Sequence, residues 1–86
     1  MDINKLIKTV KKKIEENIVL ENISVEDKTF LHVKHQSHEV KKFHLKLVIS
    51  SIELKKMSKI DSTKKIYQIL KEELEKDIHS IQILIN

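Results

Sequence analysis

The apolar pattern of the chain predicts a single α+β domain in the order α-β-β-α-α-β, a three-stranded sheet with helices on one face. Three observations carry this. An amphipathic helical repeat opens the chain: Ile3, Leu6, Ile7, Val10 and Ile14. A strict alternation follows in the middle, with Leu45, Leu47 and Ile49 on one face and His44, Lys46 and Ser50 on the other. The last third then changes period. Ile66, Ile69, Leu70 and Leu74 recur at helical spacing, after which Ile81, Ile83 and Ile85 alternate with Ser80, Gln82 and Leu84. With 86 residues, no second zone of composition and no repeat, residues 1–86 read as one domain.

In order, Asp2 is placed to cap the first helix. Lys5, Lys8, Lys11, Lys12 and Lys13 fall mostly on its polar side. The run Lys11–Lys13 is either a phosphate-contacting patch or a solvated helix face. Asn17 is a reasonable terminator, because asparagine tolerates the left-handed conformation at a helix end. Residues Ile18 to Val25 read as the first strand, ended by Glu26-Asp27-Lys28. A polar segment from Thr29 to Lys42 follows, and Phe43 to Ser51 reads as the second strand, with Val48 interrupting its polar face. Helical character resumes between Ile52 and Ile60. Asp61 or Ser62 is then placed to cap the long helix that precedes the last strand. Glu72 and Glu73, with Lys71 and Lys76 nearby, read as a solvated helical surface.

Composition removes several classes of function. Glycine and proline are both absent, so the phosphate-binding loop, the dinucleotide fingerprint and the glycine-flanked nucleophile turn are absent with them. Without cysteine there is no disulfide and no thiolate ligand. No serine has a nucleophile setting and no carboxylate pair is assignable to acid–base work, so the chain is expected not to be an enzyme. The formal net charge is +4, and every basic residue is lysine. Lysine is a strongly hydrated point charge without the arginine fork, which suits phosphate contact better than base readout. No apolar run is long enough to cross a bilayer and no signal core is present, so a cytoplasmic protein without membrane contact is expected.

Five histidines remain as chemistry. His32, His35 and His38 recur every third residue in the polar segment. On a helix they would share a face. The surrounding residues read instead as a loop, which can still bring two imidazoles to one ion such as Zn²⁺ or Cu²⁺. His44 alternates with the core positions of its strand and is expected to face solvent or pair across the sheet. His79 stands at the helix–strand junction. By strand parity it shares a face with Ile81 and Ile83. Such an imidazole is either a rigidly placed donor or metal ligand, or a partly buried structural histidine.

Four motifs in order carry a family resemblance. Asp27-Lys28-Thr29-Phe30-Leu31-His32 resembles the D-E-S-x-x-H that follows the first strand of BolA-like proteins. His44-Leu45-Lys46-Leu47-Val48-Ile49-Ser50-Ser51 resembles their H-F-K-V-x-I-V-S strand. Ile66-Tyr67 with Leu70-Lys71-Glu72-Glu73-Leu74 resembles the V-Y-x-x-L-x-x-E-L helix, and Ile78-His79-Ser80-Ile81 resembles the opening of the last strand. The match runs from about Val19 to Ile85. The chain departs from the pattern twice. Leu54-Lys55-Lys56-Met57 stands where the family has F-x-G-K, and Asp61-Ser62-Thr63-Lys64 stands where it has R-H-R.

The resemblance implies a KH-like fold of the second class, without the G-x-x-G clamp of RNA-binding KH domains. It implies a monothiol glutaredoxin as partner and a [2Fe–2S] cluster shared with that partner and its glutathione. His79 matches the family's C-terminal ligand and His32 its loop ligand, with His35 and His38 as local substitutes. The expected role is iron–sulfur cluster trafficking or iron regulation. The alternative is a nucleic-acid-binding transcriptional or stress regulator, with Lys55, Lys56, Lys59, Lys64 and Lys65 following a phosphate backbone. A plain histidine metal site is a third reading. By itself the chain is expected to be a monomer or a weak homodimer paired through an exposed strand edge.

Overall fold

The computed structural model of the protein describes residues 2–29 and 42–86. His32, His35 and His38 lie outside the described residues. Helix α1 spans Ile3–Asn17, and its N-cap is Asp2, whose carboxylate accepts the Lys5 N–H at 2.8 Å. Leu6, Val10 and Ile14, one turn apart, are fully buried. The helix ends at Asn17 as expected, but no described residue adopts a positive φ, so the end is not left-handed. Asn17 stays helical, its side-chain amide donating to the Lys13 carbonyl at 2.7 Å. Ile18 ends the helix in extended conformation because its side chain is drawn into the core.

Strand β1 spans Asn22–Asp27, starting later than the apolar run suggests. Ile18 is spent on the helix end and Val19 is exposed. The backbone of Val19 is satisfied by side chains instead of a strand: its N–H donates to Glu53 Oε1 at 3.1 Å and its carbonyl accepts the Ser51 hydroxyl at 2.8 Å. Strand β2 spans Phe43–Ser50 and lies in the middle of the sheet, antiparallel to β1. Strand β3 spans Ile78–Ile85 and pairs parallel to β2. A parallel pair needs a crossover, and three helices supply it.

The crossover begins with α2, Ile52–Lys55, capped by Ser51. Helix α3, Lys59–Ile69, is capped by Ser58, whose hydroxyl accepts the Asp61 N–H at 3.0 Å. The expected cap at Asp61 or Ser62 is therefore one turn too late. Asp61 occupies the third helical position, where its charge complements the helix dipole. Ser62 is buried and donates to the Lys59 carbonyl at 3.0 Å. The long helix also divides. At Leu70 the backbone departs from helical angles, and α4 continues over Lys71–Lys76. Two hydrogen bonds bridge the break: Leu70 N–H to the Ile66 carbonyl at 3.0 Å and Leu74 N–H to the Leu70 carbonyl at 2.9 Å.

All of this closes on one core. Leu6, Val10 and Ile14 meet Leu45, Leu47 and Ile49 of β2, together with Leu54, Ile66, Leu70 and Ile78. Each fully buried Leu or Ile contributes about 1.5–3 kcal/mol relative to exposure. The helices lie on this face of the sheet, and His44, Lys46, Val48, Gln82 and Leu84 belong to the other. No described helix is long and apolar enough to cross a membrane.

Candidate functional site

The start of β3 is fastened from three sides. The Asp77 N–H donates to the Glu73 carbonyl at 2.8 Å, closing α4, and the Asp77 carbonyl accepts the Phe43 N–H at 2.8 Å. Lys42 Nζ donates to the Glu75 carbonyl at 3.1 Å. Ile78 is then 1% exposed and locked in the core. Pairing runs Phe43 to Ile78, but the next step runs His44 to Ser80. His79 is the extra residue of a β-bulge. The bulge overturns the parity expected for His79. Ile81 and Ile83 stay against the core, while His79 is exposed.

The bulge turns His79 toward the second strand. The His79 and His44 rings lie with centroids 4.9 Å apart and planes tilted by 57°. His44 Nδ1 is 2.6 Å from the Ser80 hydroxyl, the pairing across the sheet that its strand position predicts. The backbone of His44 is equally engaged. Its N–H donates to Thr29 Oγ1 at 3.1 Å, and its carbonyl accepts the Lys28 N–H at 2.7 Å. Thr29 is held in turn by Asp27, whose Oδ1 accepts both the Thr29 N–H at 3.0 Å and its hydroxyl at 2.5 Å. The end of β1 is thus stitched to His44, which touches His79. Sequence reading singled out His79 but did not place His44 beside it. No local signal could have shown it, because the contact depends on the register of two parallel strands and on the bulge.

The sequence-predicted lysines separate into two kinds. Lys55, Lys56, Lys59 and Lys64 are exposed on α2, α3 and the turn between them, with no carboxylate among the described residues at ion-pair distance. Exposed Ile60 and Tyr67 share the surface of α3 with Lys59 and Lys64. Lys65 differs: its ammonium meets Glu53 Oε2 at 2.5 Å. That hydrogen bond, followed by the Val19 N–H, holds the Glu53 carboxyl below its ordinary value of 4.5.

A second pair corrects the reading of α4 as a solvated surface. The Glu73 side chain is buried, and its Oε2 accepts from Lys13 Nζ of α1 at 2.6 Å. Glu72 reaches the same ammonium at 3.6 Å. The hydrogen bond to Glu73 raises the Lys13 pKa above 10.5, against the opposing effect of burial. Lys13 is therefore committed to α4, not to phosphate contact. Glu73 Oε1 has no hydrogen-bond partner.

Among the described residues no group of three His, Asp or Glu side chains converges as a metal site. What converges is the pair His44 and His79, with the Ser80 hydroxyl beside it.

Comparison with known proteins adds the following. The family model described as BolA-like protein matches residues 14–86. The sequence is 30% identical over 74 residues to the DNA-binding transcriptional regulator BolA of Haemophilus influenzae, covering 86% of this chain and 69% of that protein. In structure it is similar to the BolA domain of SufE1 from Arabidopsis thaliana, at a TM-score of 0.81 and 22% identity, over 99% of this chain and 94% of that one. It is also similar to BolA1 from Arabidopsis thaliana, at a TM-score of 0.76 and 19% identity, over 93% and 88% of the two chains.

Proposed function

Because the chain belongs to the BolA-like family, we propose that it is a non-enzymatic partner of a monothiol glutaredoxin and co-ligates a [2Fe–2S] cluster through histidines. The setting is iron–sulfur cluster trafficking or iron regulation, in the cytoplasm. His79 is one ligand in this reading. His32 is the other, with His35 and His38 as substitutes.

The observation that supports the reading best is the placement of His79. A core-locked Ile78 and a bulge leave its imidazole exposed beside that of His44. Thr29, three residues before His32, is bonded to the backbone of His44, whose ring touches His79. The donor set offered here is nitrogen alone, which one iron of a [2Fe–2S] cluster accepts. The residues therefore fit the group in ligand type, and the missing cysteine is no obstacle. Imidazole ligation raises a cluster's potential and is open to protonation, which suits delivery better than permanent storage.

Anaerobic reconstitution with a monothiol glutaredoxin, glutathione, iron and sulfide tests the reading. Visible circular dichroism of the glutaredoxin cluster changes on adding this chain and reverts when His79→Ala replaces it. An unchanged spectrum without co-elution removes the proposal.

A second reading is favoured by one relative's name as a DNA-binding transcriptional regulator. In that reading the exposed Lys55, Lys56, Lys59 and Lys64 contact phosphates, and Lys65 is already paired with Glu53. A steep fall of duplex affinity with salt, together with preference for one DNA sequence, would support it.

A further inference from the structure

We propose that His44 and His79 form a two-imidazole site for a single divalent transition-metal ion in the isolated chain, independent of any glutaredoxin and of the histidines at 32, 35 and 38. Three features of the strand opening carry this.

The first is proximity. Two nitrogens on one tetrahedral Zn²⁺, each at about 2.0–2.1 Å from the metal, stand roughly 3.3 Å apart. Rings with centroids at 4.9 Å and planes tilted by 57° are close enough for both to reach one ion. The second is the hydrogen bond behind the His44 ring. An imidazole that ligates through one nitrogen commonly has the other hydrogen-bonded to an oxygen, which aims the ring. The Ser80 hydroxyl lies 2.6 Å from His44 Nδ1 and fills that place, with Nε2 as the coordinating nitrogen. The third is backbone rigidity. Both the N–H and the carbonyl of His44 are hydrogen-bonded, and His79 follows the core-locked Ile78. The two donors therefore start from rigid elements, which lowers the ordering cost of binding.

His44 makes a further interaction as well. Water completes the remaining positions. Imidazole donors favour Cu²⁺, Ni²⁺ and Zn²⁺ over the hard cations Mg²⁺ and Ca²⁺. If His79 is also a cluster ligand, the ion and the cluster compete for it. That consequence alone rests on the function proposed above.

The test is titration of the full chain with Zn²⁺ at neutral pH, followed by calorimetry and by nitrogen NMR of the imidazoles. The expected result is one ion per chain, with Nε2 of His44 shifting together with His79. His44→Ala and His79→Ala each abolish this binding. Ser80→Ala leaves the fold intact and weakens it about 10-fold. The triple variant His32→Ala/His35→Ala/His38→Ala retains it. Binding that survives His44→Ala, or that disappears in the triple variant, overturns the proposal. So does an absence of saturable binding. Neither result bears on cluster co-ligation, which the glutaredoxin reconstitution reads separately.

Discussion

Lys13 of α1 and Glu73 of α4, 60 residues apart in sequence, meet at 2.6 Å and tie the first helix to the segment that delivers His79. The carboxylate is buried and the ammonium is 30% exposed. Removing the cation alone strands a buried acceptor, a larger loss than the pair's own net worth. Lys13→Met is expected to lower stability by about 1–3 kcal/mol. Adding Glu73→Leu should restore most of it, since the unpartnered Oε1 leaves with the charge. Urea denaturation of the two single variants and the double variant measures this coupling.

Ser58 and Ser62 separate a cap from its neighbour. Ser58→Ala removes the acceptor for the Asp61 N–H and should cost about 1 kcal/mol. Ser62→Gly should also destabilise, through lost helix propensity. Ser62→Ala removes only a donor to the Lys59 carbonyl and should cost less than Ser58→Ala. Thermal unfolding of the three variants orders them.

Glu53 predicts a direction with pH. Its folded pKa is lowered by the Lys65 hydrogen bond first and the Val19 N–H second. Its contribution is therefore present above 4.5 and is lost as pH falls through the lower folded value. Lys13 works at the other end. Its pKa is raised, so its contribution is complete below 10.5 and fades as pH rises through the folded value. Denaturation midpoints against pH should lose the acid-side component in Glu53→Gln and the alkaline-side component in Lys13→Met.

The lysines predict unequal effects on any contact with nucleic acid. Lys59→Gln and Lys64→Gln should each lower the slope of log affinity against log salt by about 0.9 if they meet phosphate on a duplex. Lys65→Gln should leave that slope unchanged, because Glu53 already holds its charge. Fluorescence anisotropy with a labelled duplex across a salt series reads the slopes.

Where a single segment carries its own period, the sequence by itself was enough. Leu6, Val10 and Ile14 face the core because a helix repeats every 3.6 residues. Leu45, Leu47 and Ile49 face it because a strand alternates. The order α-β-β-α-α-β, apart from the break at Leu70 that divides the long helix into α3 and α4, and the motifs that identify the family were legible for the same reason, since each lies within a short stretch. Capping at Ser58 was missed by one turn because several polar residues in Met57–Ser62 are acceptable caps by type. Only the side-chain geometry chooses among them.

The tertiary structure decided what depends on distant chains meeting. Glu73 is buried because α1 brings Lys13 over it, and no pattern within Lys71–Lys76 carries that information. Lys65 is neutralised by Glu53 while Lys64 is not, a difference set by which side of α3 meets Glu53 of α2. The contact of His44 with His79 needs a parallel register and a bulge, and one added residue reverses the face on which a side chain stands. Parity counted along one strand assumes an unbroken ladder. The ladder breaks at His79 because Ile78 is held in the core while Ser80 pairs with His44, and two residues must then span one step.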